Sequence, residues 1–419
     1  MDTQRTGLHY GWVVLAVGTL VVFGALGLAR FGYSVVLPAM QEGLGMANTG
    51  AGALATANLI GYLALALIGG ALASRFGPRA VIAAGLAVAG LSMIATGMVH
   101  TVTGAALWRA VTGVGSGASN VPVMGLLAAW FAVRRRGLAT GIGVAGSSLA
   151  LIALGPSVPR VLAALGPEGW RTCWLGFGAV TLVLALLALA LLRNHPHELG
   201  LRPVAAAPDD PAPSATRGVL RWGEVYRAPA VWHLGLVYVA FGFSYIIYMT
   251  FFVKALIAEG GMTQQAAGNL FMTMGWFSLF CGLIWGHVSD VIGRKGALIM
   301  VYVVQAAAYA LFALAPTLPG FTISAVLFGL TAWSIPAIMA AACGDMLGAR
   351  MAPAALGFIT LFFGIGQALG PTVAGAIADI SGSLLPAMLL AAGVALLGAL
   401  GSAFLRPTVV CAEEPGPPP

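Results

Sequence analysis

Arg30 raises the first chemical question in this chain. It lies well inside an apolar run that opens near Tyr10 and continues to about Met40. A helix of that length spans a bilayer core of about 30 Å, and Arg30 falls past its middle, toward the outer side. An ionisable group at that depth costs several kcal/mol and marks a functional candidate. A guanidinium stays charged and can hold a carboxylate by two parallel hydrogen bonds. No Asp or Glu lies deep in any apolar run to neutralise it. The unmatched cation points to an anionic ligand. The competing reading is that Arg30 snorkels outward or bonds helix carbonyls.

Other side chains in the apolar runs can assist. Tyr33 follows Arg30 in the segment Leu28-Ala-Arg30-Phe-Gly-Tyr33. Asn58 and Tyr62 are four apart and share one helix face. Laying Phe23-Gly24 on Phe241-Gly242 makes Tyr248 the counterpart of Arg30, with Tyr245 close by. Asn120 and Gln367 are isolated amides, and Trp276 and Trp333 can form cavity walls. For each of these, helix–helix hydrogen bonding or packing stands beside ligand contact. Arg109 is a second charge within a membrane-length run, and structure is its favoured role. Lys254 sits near the outer end of another, where it snorkels or attracts anions.

The elements that must position these groups follow from composition. Of 419 residues, 59% are hydrophobic and 8% charged, with a mean hydropathy of +0.95. Soluble proteins carry about 25% charged residues, so lipid must solvate this chain. The net charge of +7 comes from scattered residues and forms no basic domain, which excludes nucleic acid. Twelve runs are long enough to span: 10–38, 48–73, 79–98, 105–131, 138–162, 171–192, 230–256, 264–290, 296–314, 319–343, 353–378 and 383–405. Abundant glycine suits close helix–helix approach in lipid. The first run is too long for a signal peptide. Cys173, Cys281, Cys343 and Cys411 match no metal or disulfide spacing.

Residues 193–229 hold His195, Asp209, Asp210 and five arginines around an Ala/Pro segment, and read as a solvated linker. The chain therefore divides into a six-helix bundle at 1–192, the linker, a second bundle at 230–406 and a tail at 407–419. With the N-terminus in the cytoplasm, fifteen of the twenty Lys and Arg fall on the cytoplasmic side, including Arg5, Arg217, Arg221, Arg350 and Arg406. Both termini are then inside.

Four internal echoes support duplicated halves. Gly70-Ala-Leu-Ala-Ser-Arg-Phe-Gly77-Pro-Arg79 recurs as Gly286-His-Val-Ser-Asp290-Val-Ile-Gly293-Arg294-Lys295, at an offset of 216. Leu138-Ala-Thr-Gly141 recurs as Ala354-Ala-Leu-Gly357, Gly155-Pro156 as Gly370-Pro371, and Phe23-Gly24 as Phe241-Gly242. Repeats of this kind place a substrate site near the midplane, between the halves.

The pattern G-x-x-x-D-R-x-G-R-K, met by Asp290, Gly293, Arg294 and Lys295, resembles the major facilitator signature. The first half departs from it with Ser74 at the acidic position. Arg109-x-x-x-Gly113-x-Gly115 resembles that family's fourth-helix motif. His9-Tyr-Gly-Trp12-Val-Val and Trp130-Phe-x-x-Arg134-Arg-Arg136-x-Leu138-Ala-x-Gly141 resemble the signatures of monocarboxylate and oxalate/formate carriers. The arginine usual in the eighth helix of such carriers is absent here, as is the lysine of the oxalate type in the eleventh. The segments around Arg30 and Tyr245 are similar to a bacterial group without an assigned substrate.

The resemblance implies an all-α membrane protein with twelve transmembrane helices in two pseudo-symmetric six-helix bundles. It further implies alternating-access transport across the cytoplasmic (inner) membrane of a bacterium. The expected cargo is a small organic anion, a monocarboxylate by resemblance. Protons are a candidate coupling partner, lipid is the solvent, a monomer suffices and no cofactor is called for. Arg75, Arg79, Arg109, Asp290, Arg294 and Lys295 are assigned to gating and conformational change. Export of drugs or hydrophobic solutes is the alternative, since Gly155-Pro156 is similar to an antiporter motif. An enzyme is disfavoured: no H-E-x-x-H or G-x-S-x-G occurs, and all six histidines lie near loops or helix ends.

Overall fold

A backbone crossing lipid must satisfy its own polar groups, so apolar runs of this length fold as helices. The computed structural model describes residues 9–206 and 227–405. Parts of the expected linker and the whole tail, with Arg5, Asp209, Asp210, Arg217, Arg221, Arg406 and Cys411, lie outside the described residues. The helices are α1 (Tyr10–Val22), a π-helical segment (Phe23–Phe31), α2 (Gly32–Leu44), α3 (Asn48–Phe76), α4 (Pro78–Gly97), α5 (Val102–Trp130), α6 (Val133–Leu165) and α7 (Gly169–Leu191). After the linker come α8 (Pro229–Ala258), α9 (Gln264–Ser278), α10 (Cys281–Leu314), α11 (Leu318–Thr331), α12 (Ser334–Ser381) and α13 (Leu385–Ala403).

Among the described residues, ten stretches are long and apolar enough to cross a membrane. The other two expected runs are α5, which is more polar, and the eighth, which breaks after Ser278. Two runs are interrupted midway, at Leu279–Phe280 and Ala332–Trp333. α10 doubles back at Gly293, where φ is 81°. α12 is helical throughout, yet Asp345 pairs with Arg294 and Asp379 caps α3 at the opposite end. α11 sets out from the Asp379 end, where Phe321 lies against Gly260 and Glu259 accepts from the Leu384 amide, so the chain runs to Asp345 and reverses after it.

The first bundle packs α3 on α5, α4 on α5 and α4 on α7, and the second packs α8 on α12 and α10 on α13. Pseudo-symmetry is visible in the backbone. Gly77 and Gly293, 216 apart, hold φ of 84° and 81°, a region that only glycine enters freely. The bundles meet through α3·α12, α6·α9 and α2·α8. Two of these seams are symmetry mates as well: Gly52 lies against the Pro371 backbone, and Gly268, at an offset of 216, lies against the Gly155 backbone. The Gly155-Pro156 echo is thus a packing device between bundles. A side chain at Gly268 would strike the Gly155 carbonyl and Pro159. Gly268→Leu is expected to hold this seam apart and cut transport to below about a tenth of wild type, checked in reconstituted vesicles.

The linker corrects one expectation. Residues 193–206 are not free in solvent but strapped to the first bundle. Val204 accepts from the Ala132 amide and donates to the Trp130 carbonyl, on either side of Phe131, and its side chain is buried. His9 bonds the Arg202 carbonyl at 3.1 Å, and Trp130 donates to the Arg193 carbonyl at 2.9 Å. Burial of Leu192 and Val204 against α1 and α5 outweighs the pull of the charged residues toward water.

Candidate functional site

Arg30 sits in the π-helical segment, and it is 9% exposed. One extra residue per turn rotates the helix face there, and such bulges recur at functional sites. The guanidinium carbon stands 4.4 Å from the Tyr62 ring centre of α3. It also reaches the Tyr245 hydroxyl of α8. Asn120 of α5 donates its amide N–H to the Tyr62 hydroxyl at 2.9 Å, and Gln367 of α12 donates to the Tyr245 hydroxyl. Five candidates therefore converge, drawn from both bundles. Arg30 Nε and Nη2, Asn120 Oδ1 and Gln367 Oε1 are buried there without partners.

Three further candidates border this cluster. Tyr33 donates to the Ala51 carbonyl at 2.7 Å, and Asn58 donates to the Arg109 carbonyl at 3.1 Å. Together with Ile246, Met249 and Thr250 they line a cavity of about 10 Å³ beside Arg30, room for about one water. Trp333 reaches across the bundles: its indole N–H donates to Ser148 at 3.0 Å, and its ring lies 5.4 Å from Phe31. Ser278 also bonds Ser148, at 2.7 Å. Both interrupted runs thus end on Ser148, which sequence reasoning missed.

One expectation is corrected, at Tyr248. Tyr248 does not face Arg30. Its hydroxyl pairs with Ser324 at 2.6 Å, inside the second bundle among Phe252, Tyr309, Phe312 and Phe328. The reason is the π-helical turn: α8 has none, so residues equally spaced from the Phe-Gly pair point differently, and Tyr245 takes the central position. Trp276 is 52% exposed, with no hydrogen bond to the cluster among the described residues.

Arg109 is fully buried in the first bundle. It donates to the Ala29 carbonyl at 2.6 Å and lies between the Tyr33 and Trp174 rings, 4.8 and 5.0 Å from their centres. Ser116 donates to the Ala25 carbonyl. α5 thus braces the π-helical segment at two carbonyls. Only the glycines of that segment hinted at its irregularity.

The gating candidates other than Arg109 lie at the end where α1 begins, the proximal end. Arg294 donates to Asp290 at 2.6 Å, to Asp345 at 2.9 Å and to Ser289 at 2.8 Å. With Lys295 these residues line a cavity of about 350 Å³. Asp345 escaped the sequence reading. In the first half Ser74 bonds its own helix at the Ala71 carbonyl, Arg79 donates to the Leu189 carbonyl at 2.6 Å, and Arg75 lies over Phe76.

Among the described residues, hydrogen bonds between bundles cluster instead in the distal half. Asp379 of α12 accepts from the Asn48 and Thr49 amides at 2.8 Å each and from the Thr49 hydroxyl at 2.6 Å. It caps α3 from the other bundle. Lys254 neither snorkels nor stands free: it donates to Gln41 and Asn48. Thr56 bonds the Ala368 carbonyl at 2.7 Å.

Comparison with known proteins agrees with this architecture. The chain is 25% identical to the probable sulfoacetate transporter SauU of Cupriavidus necator, over 94% of both chains. It is 25% identical to the oxalate:formate antiporter of Oxalobacter formigenes, over 74% of this chain and 72% of that one. Its fold matches a bacterial homologue of the human lysosomal transporter Spinster, in an inward-facing, occupied conformation, with a TM-score of 0.77 and 15% identity, covering 96% and 98% of the chains. Transporters, not enzymes, are what it resembles. Residues 22–402 match the family described as uncharacterised MFS-type transporter YbfB, and the chain belongs to that family of major facilitator transporters.

Proposed function

We propose that this protein carries a small organic anion, of monocarboxylate size, across the cytoplasmic membrane of a bacterium by alternating access. One observation carries the reading. Arg30 holds a buried positive charge where the two bundles meet, two of its N–H groups have no partner, and no carboxylate pairs with it among the described residues. A buried unpaired charge is costly, and a ligand carboxylate removes that cost. Sulfoacetate and oxalate or formate, the cargoes named for two relatives, are anions, which supports the same class.

With both termini cytoplasmic, the closed distal half is the outer one, and the arrangement is inward-facing. No His, Asp or Glu joins the Arg30 cluster among the described residues, so a proton, if coupled, travels with the substrate–arginine pair. The experiment is thermal stabilisation of the purified protein by small carboxylates, amino acids and cationic drugs, because a ligand of the folded state raises Tm. Stabilisation by carboxylates supports the reading. Stabilisation by cationic or neutral compounds alone overturns it in favour of drug export.

The distal latch gives a separate expectation. Removing a helix-capping carboxylate costs about 0.5–2 kcal/mol, so Asp379→Ala is expected to shift the inward/outward balance about tenfold toward outward-open. Distances between spin labels at Glu42 and Ser381 check it, and an unchanged distribution refutes the latch.

A further inference from the structure

The unmatched groups around Arg30 are not all donors. Arg30 Nε and Nη2 lack acceptors, but Asn120 Oδ1 and Gln367 Oε1 lack donors. Each amide uses its N–H on a tyrosine hydroxyl, Asn120 on Tyr62 and Gln367 on Tyr245. Gln367 is 1% exposed, so bulk water does not reach it. A simple carboxylate satisfies the guanidinium and leaves both carbonyl oxygens dry. It also sets its own negative charge against them. A ligand that completes the site carries a hydrogen-bond donor beside its carboxylate. An ammonium is the wrong donor. Arg30 and Arg109 already bring two cations to this layer, and among the described residues no carboxylate joins them, so a third positive charge is repelled. A neutral hydroxyl is what remains.

We infer that the carried acid is hydroxylated. Its carboxylate sits on Arg30, and its hydroxyl donates to Gln367, Asn120 or both, which makes these amides the specificity-determining residues. The inference rests on the anion reading of Arg30. The amides come from opposite bundles, so a ligand with two hydroxyls ties the bundles together at the site. Turned end for end, the same amides would offer N–H donors and favour extra carboxylate oxygens, so the two orientations make opposite demands. A site built to bond a hydroxyl rejects the analogue lacking it far more strongly than an apolar pocket rejects a missing methylene.

The test is isothermal titration of the full-length purified protein with matched acids: propionate, lactate and alanine, then hexanoate and gluconate. In at least one series the hydroxy acid is expected to bind tenfold tighter or more than its deoxy partner, with alanine weaker than lactate. Gln367→Met and Asn120→Leu, which remove the acceptors at similar volume, are expected to narrow that ratio to within about threefold. Should either variant fail to fold, the wild-type ratio and the other variant decide. Equal or tighter binding of the deoxy acids in both series overturns the inference and leaves Arg30 as an anion anchor. So does alanine binding as tightly as lactate. A hydroxyl preference untouched in both variants overturns the assignment to these amides. Binding of none of the acids overturns the anion reading itself.

Discussion

Arg30→Ala is expected to abolish carboxylate transport while leaving the fold intact. Truncating one partner of a buried, hydrogen-bonded charge pair costs about 2–5 kcal/mol, or roughly 30- to 5,000-fold in affinity. The expected loss of carboxylate binding is therefore at least about 30-fold. Arg30→Lys keeps the charge but loses the planar fork, and retains part of the activity. The stability readout runs the other way. Two buried N–H groups of Arg30 have no partner, so in the ligand-free protein the side chain is a cost. Arg30→Ala is expected to hold or raise Tm, the signature of a residue kept for function at the expense of stability. Vesicle uptake and thermal unfolding measured on the same preparations decide. Normal uptake in the variant sinks the anion mechanism, and a large fall in Tm makes Arg30 structural.

Arg109→Met is expected to do the reverse. Its guanidinium bonds the Ala29 carbonyl within the π-helical segment and fills the space between Tyr33 and Trp174. Methionine restores some volume, but neither the hydrogen bond nor the contacts with the two rings. Losing a buried hydrogen bond costs about 1–3 kcal/mol, and imperfect filling of the space raises the total to about 3–5 kcal/mol. An apparent Tm lower by about 5 °C or more follows, with a smaller folded fraction by size exclusion. Arg109→Lys keeps a donor and is expected to fall between. An unchanged Tm with transport lost would move Arg109 from brace to mechanism. The pair of variants separates two buried arginines that look alike in sequence.

What made the fold legible was solvent. A chain this apolar has to satisfy its backbone internally in lipid, and run lengths, charge placement and the offset of 216 then imply duplicated bundles. The offset even matched the two left-handed glycines, Gly77 and Gly293, because a sharp turn at the helix junction demands glycine in both halves. The interruptions after Ser278 and Thr331 were not legible. Their residues are as apolar as their neighbours, and hydropathy averages over a break of two residues.

For the site, residue type alone picked out Arg30, Tyr62, Asn120, Tyr245 and Gln367, because polar groups in lipid are expensive and few. Sequence could not say which of them face one another. Tyr248 shows why: one π-helical turn in the first half rotates Arg30 away from the position that simple alignment gives it, and Tyr245 becomes the neighbour. Nor could sequence tell Lys254 and Asp379 from ordinary interfacial charges, since their partners lie more than two hundred residues away. The sequence by itself determined the solvent, the helices and the duplication, because each follows from local composition and repetition. The tertiary structure alone decided which polar groups are matched and which are left waiting for a ligand, because helix rotation and the approach of two bundles set those pairings.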